Sequence, residues 1–179
     1  MPRNRRPRDR EEKSSEIVDA AVSLFTTLGY EKTSLASIAK AAGVTTNTIY
    51  WYFRDKDALL VAVLDDLLRE GLQGLDELDD QPAVDQLLWV VERLLAYDKL
   101  VTTVHALAPD SPVVGVWHDG FHEAADAMLA EVLRQAGVPE QQVAPRTRLG
   151  VFAVEGLLTH RLPQEEQRAV LELVLSSPR

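Results

Sequence analysis

The residues best equipped for chemistry lie in one short stretch. Thr45, Thr46, Asn47 and Thr48 supply three hydroxyls and an amide, and Tyr50, Trp51, Tyr52 and Phe53 follow as four consecutive rings. Short neutral donors and acceptors of this kind suit base edges and phosphate oxygens. The chain has eleven aromatic residues, and four of them are this run. Successive side chains on a helix point in nearly every direction, so at least one of the rings faces solvent or a partner. Upstream, Arg3, Arg5, Arg6, Arg8, Arg10 and Lys13 stand against three acids within residues 1–13. Such an arm can neutralise phosphates whatever the base sequence, and by charge alone it is equally a solvated, disordered tail.

A second constellation lies far downstream. His118 and His122 are four residues apart with Glu123 adjacent, a spacing that puts both imidazoles on one helix face and could chelate zinc. Asp119 follows His118, unlike the His-Glu-x-x-His of metalloproteases, and a site needs a third ligand, for which His105 is the candidate. Exposed or hydrogen-bonded histidines are the more ordinary reading, so no metal and no cofactor is expected. Catalytic sets are missing as well. There is no cysteine, no Gly-x-Ser-x-Gly elbow, no phosphate loop and no paired Glu-x-x-His.

The elements that must hold these groups are helical. The 179 residues are 46% hydrophobic and 26% charged, the composition of a soluble globular protein. Net charge is −9, but residues 1–60 hold ten Lys and Arg against eight acids, and the remainder hold nine against twenty. A basic head on an acidic body fits a protein whose head alone meets a polyanion. No apolar run approaches the ~18 residues of a membrane span, and no apolar stretch follows the arginines as in a secretory signal. A soluble, cytoplasmic protein without membrane contact is expected.

Apolar residues recur at helical spacing between proline and glycine breaks. Ile17, Ala21, Leu24, Phe25 and Leu28 form one stripe that ends at Gly29. A short helix from about Leu35 to Ala42, with Thr33 or Ser34 as its N-cap, is broken by Gly43. Thr45 or Thr46 caps a third through about Phe53, and a fourth begins near Lys56. Further helices are expected at about 83–97, 98–108, 112–136, 143–161 and 164–176, making an all-α chain of about nine helices. The short helix, glycine turn and second short helix form a helix-turn-helix. Its inward set is Ile38, Val44, Ile49 and Phe53 against Leu24, Phe25 and Leu28, and its outward face is Thr45, Thr46, Asn47, Thr48, Trp51 and Tyr52. Tyr50 divides evenly between core and contact.

Residues 17–60 resemble the DNA-binding head of TetR-type transcriptional regulators. The matching positions are Ala20-Ala21, Leu24-Phe25, Gly29-Tyr30, Thr33-Ser34, Ile38-Ala39, Ala42-Gly43-Val44, Tyr50, Tyr52-Phe53, Lys56 and Leu59. The resemblance implies that Thr33 caps the second helix and touches a phosphate, and that Thr45–Thr48 open a recognition helix. It further implies that Tyr50 and Tyr52 reach phosphates or bases and that Lys56 meets a phosphate. Thr46 stands where many members carry a basic residue and Asn47 where many carry glycine, and the Asn47 amide can read adenine bidentately. The domains expected are a basic disordered arm at 1–13, a helix-turn-helix domain at 14–56 and an effector-binding and dimerisation domain at 57–179.

A single small head reads few bases, so two heads held about one helical turn apart, on a near-palindrome, are expected. The surface offered for a homodimer is Leu149, Phe152, Gly156, Leu157 and His160, then Val170, Leu173 and Val174. For a small-molecule effector the candidate lining is Trp89, His105, Trp117, Phe121, Met128 and Phe152, rings and polar groups of the kind a pocket needs and a core also uses. The function implied is a ligand-responsive repressor of double-stranded operator DNA. The rivals are a helical enzyme and a protein-interaction module with a degenerate head.

Overall fold

The computed structural model describes residues 7–176, with side chains from Arg10 onward. Among these residues nine α-helices and no strands run in order: α1 (Pro7–Leu28), α2 (Leu35–Ala41), α3 (Thr46–Tyr52), α4 (Lys56–Asp76), α5 (Ala83–Ala96), α6 (Asp98–Leu107), α7 (Pro112–Gln135), α8 (Glu140–Thr159) and α9 (Gln164–Leu175).

Local sequence explains where the first helices start and stop. The arm expected to be disordered through residue 13 is helical from Pro7. Proline suits a first helical position because its missing N–H would be unbonded there in any case, and Lys13 pairs with Glu16 one turn on. Arg5 and Arg6 lie outside the described residues. The α1 helix stops where Gly29 adopts φ +87° and donates its N–H to the Phe25 carbonyl at 3.0 Å. Ser34 caps α2 in a reciprocal capping box with Ser37. Thr33 does not serve as the cap. Its hydroxyl turns inward to the Gly29 and Leu24 carbonyls at 2.8 and 3.3 Å, and the residue is 1% exposed. Gly43 holds φ +64°, a left-handed conformation that a side chain would resist.

The chain packs as two compact units. The first takes the chain up to Arg69 together with Lys99–Trp117, and the second takes Glu70–Asp98 with His118 onward. Much of α4, all but the first residue of α6 and the start of α7 therefore build one unit with the head.

In the first unit, α1 packs on α2 and α2 on α3. The fully buried side chains include Ile17, Phe25, Ile38, Ile49, Leu59, Leu60 and Leu100. Each such side chain contributes about 1.5–3 kcal/mol over its exposed state. The expected inward set needs four corrections. Leu28 is exposed, and Leu24, Val44 and Phe53 are only half-buried. Leu28 is the last residue of α1, and Phe53 is the extended residue that ends α3. Two side chains brace this frame. Lys99 of α6 donates to the Thr27 carbonyl at the end of α1, 2.9 Å away, and the Trp117 indole donates to Asp65 of α4 at 2.7 Å. Gly115 approaches so closely that an added Cβ would sit 2.7 Å from the Ala108 carbonyl oxygen.

In the second unit α5 packs against α8 and α9, and α8 against α9. Leu88, Val91, Leu157 and Leu171 form one core cluster, and Leu129, Leu133, Val138 and Val143 form another. Gly150 is buried where a Cβ would lie 2.5 Å from Leu129 and 3.1 Å from Val174, so its lack of a side chain lets α7, α8 and α9 converge.

Candidate nucleic-acid interface

The surface of interest is the exposed side of α3. The Thr45 hydroxyl accepts the Thr48 N–H at 3.1 Å, and the two threonine hydroxyls lie 2.9 Å apart. This cap satisfies one of the helix's first unpaired N–H groups and fixes the pair of hydroxyls at its N-terminal end. Asn47 is exposed, Thr46 and Thr48 are half-buried, and Ile49 beneath them is fully buried. The aromatic run then divides by direction. Tyr50 is 55% and Trp51 63% exposed, whereas Tyr52 and Phe53 are half-buried. The open alternative for Tyr50 is resolved toward exposure. Trp51 and Tyr52 meet edge to face at 4.8 Å between centroids, and Tyr52 lies 6.4 Å from Phe53, which makes one stiffened aromatic end.

Cations border this surface. The Arg10 guanidinium of α1 sits 4.6 Å from the Trp51 ring centroid, a cation–π contact that sets this arginine against α3. Arg54, immediately after the aromatic run, has a side chain 93% exposed and lies 3.8 Å from the Asp55 carboxylate. Asp55 also accepts the Ala58 N–H at 2.8 Å and so caps α4. The Lys56 ammonium lies 3.8 Å from the Tyr30 ring centroid. Burial pulls its pKa below the ordinary lysine value, with Glu31 and Asp57 acting in the opposite direction. The Tyr30 hydroxyl donates to Asp57. Burial first, and that carboxylate second, hold the phenol above its ordinary value, so it keeps its proton.

The structure brings together Thr45, Thr46, Asn47, Thr48, Tyr50, Trp51 and Tyr52 on one short helix, with Lys56 just beyond it. It withdraws Thr33, whose hydroxyl is spent on carbonyls and cannot also reach a phosphate. Arg10, already named in the basic arm, lies beside α3, and Arg54 is new. Arg54 was legible as a basic residue next to the rings, whereas the meeting of Arg10 with Trp51 is a tertiary contact between residues 41 positions apart that no local pattern encodes.

The candidates for an effector pocket fall in both units. His105 and Trp117 belong to the first unit and the other four to the second. His105 is exposed, and Trp117 is engaged with Asp65. Trp89 packs so tightly against Gly74 that an added Cβ would lie 2.7 Å from its ring. Phe121 is half-buried and edge-on to His122 at 5.8 Å, and Met128 and Phe152 are exposed. The candidates for a dimer face divide by burial. Leu149, Phe152 (61% exposed), His160 and Leu173 (73% exposed) are open, and Gly156 and Val170 are half-buried. Leu157 and Val174 instead belong to the core of their own unit, where α5 and α7 cover them. No helix among the described residues is long and apolar enough to cross a membrane.

Comparison with known proteins singles out the segment that contains α3. Residues 17–63 match the family described as bacterial regulatory proteins, tetR family. The chain is 28% identical over 166 residues to the HTH-type transcriptional regulator TtgR of Pseudomonas putida, covering 83% of this chain and 79% of that one. It is 44% identical over 71 residues to the HTH-type transcriptional regulator AcrR of Shigella flexneri, covering 40% of this chain and 32% of that one. A transcriptional regulator from Rhodococcus sp. shares the fold with a TM-score of 0.74 at 19% identity, over 90% of this chain and 93% of that one.

Proposed function

The chain is a TetR-family DNA-binding transcriptional regulator, and from that premise we propose that it is a ligand-responsive repressor that holds a near-palindromic operator as a homodimer in the cytoplasm. One observation carries the reading: α3 presents Asn47, Tyr50 and Trp51 outward from a buried Ile49 and a side-chain-capped start. That arrangement lays amide and rings where a major groove can take them, with Arg10 and Arg54 toward the phosphates. The enzyme reading is set aside, since the matched relatives are transcriptional regulators.

Dimerisation follows from what one head can read. Leu149 and Phe152 of α8 and Leu173 of α9 offer large apolar side chains to solvent, an arrangement that a second copy of the same surface would cover. An effector lowers affinity by binding better to the dimer whose heads are misplaced for the operator. The test is a mobility-shift titration paired with sedimentation. The wild type runs as a dimer and shifts operator duplex, and the double variant Phe152→Ser, Leu173→Ser sediments as a folded monomer with at least a tenfold loss of affinity. A variant that stays dimeric with full affinity places the dimer face elsewhere.

A further inference from the structure

Outside the DNA-facing surface, one cluster of metal-binding side chains is not absorbed by the reading above. His118 and His122 occupy successive turns of α7, both are half-buried, and their ring centroids are 4.5 Å apart. Their candidate ligand nitrogens lie within 4.8 Å of one another. Two metal–nitrogen bonds of about 2.0–2.1 Å at a tetrahedral angle span about 3.3 Å, a separation inside that limit. The His118 Nδ1 is 3.3 Å from an Asp119 carboxylate oxygen. A carboxylate on one ring nitrogen fixes the ring's orientation, and the other nitrogen, Nε2, is shielded from bulk solvent.

We propose that α7 carries a binding site for a divalent first-row transition-metal ion, with His118 and His122 as its protein ligands on this helix. Imidazole pairs select ions such as Zn²⁺, Ni²⁺ and Cu²⁺ over Mg²⁺ and Ca²⁺, which demand oxygen ligands. The two histidines leave the remaining coordination positions to water or to a donor atom from outside the helix. The site does not depend on the DNA-binding reading, and a failure of either leaves the other standing.

The experiment uses the untagged, full-length protein stripped with chelator and titrated with Zn²⁺ and with Ni²⁺ against a competing chromophoric chelator. One ion per chain is expected, with affinity falling by roughly tenfold or more in His118→Gln and in His122→Gln, and unchanged in His160→Gln. Circular dichroism of each variant confirms that the helices persist. A Co²⁺-loaded sample shows nitrogen-ligand absorption bands in the wild type that both α7 variants weaken. Equal losses at His160 and at the α7 pair, binding of Mg²⁺ as tight as that of Zn²⁺, or no stoichiometric uptake would each overturn the proposal.

Discussion

The recognition end and the second unit are built from the same element, yet they carry different amounts of information. In the head, each element boundary is marked by a residue with one job: Gly29 and Gly43 in left-handed conformations, Ser34 and Thr45 as caps. Asn47 and Tyr50 of α3 are left exposed beside them. In the second unit, Leu88, Val91, Leu157 and Leu171 make a core that many combinations of apolar residues could replace. Motif density therefore follows the number of constraints at each position, and short helices with tight turns impose more of them than long helices packed side by side.

Truncating a core ring is the harshest test of that contrast. Phe25→Ala removes a fully buried ring from the head and is expected to cost about 3–5 kcal/mol, against about 2–5 kcal/mol for Leu171→Ala in the second unit. Urea unfolding followed by circular dichroism measures both. A head variant that loses less than 1 kcal/mol would show that the head tolerates cavities as freely as the second unit.

Smaller effects sharpen the picture. Gly115→Ala forces a methyl against the Ala108 carbonyl and is expected to cost about 1–3 kcal/mol in the same assay. Asn47→Ala is expected to remove about 1–3 kcal/mol of discrimination at a single base pair, leaving the fold intact, as read from binding to duplexes altered one position at a time. Thr45→Ala deletes the acceptor for the Thr48 N–H and should lower stability by about 0.5–2 kcal/mol. Arg10→Ala leaves the melting curve in place and flattens the salt dependence of DNA binding by about 0.9.

Nearly all of the fold was legible because its punctuation is local. The helix order, the glycine stops and the α3 surface follow from residues a few positions apart. What escaped depends on tertiary placement. Thr33 stands where a cap would, but burial under α1 turns its hydroxyl to the Gly29 and Leu24 carbonyls. Leu157 and Val174 share a stripe with exposed neighbours, and only the packing of α5 and α7 shows which side is covered. The start of α1 escaped for a different reason, since a run of arginines signals charge before it signals helix, and the three acids among them do not mark a helix start. The pocket was the least legible feature, because rings such as Trp89 and Trp117 serve a core or a hydrogen bond as readily as a ligand.

The most direct measurement is selection of random duplex DNA by the purified chain, sequenced after several rounds for the wild type and for Asn47→Ala with Trp51→Ala. The wild type is expected to enrich a two-fold-related pair of half-sites about one helical turn apart, or a multiple of it, and the double variant to bind without enriching any motif. A wild-type pool that stays random at low and moderate salt, or a double variant that recovers the same motif, contradicts the assignment of α3 as the reading surface.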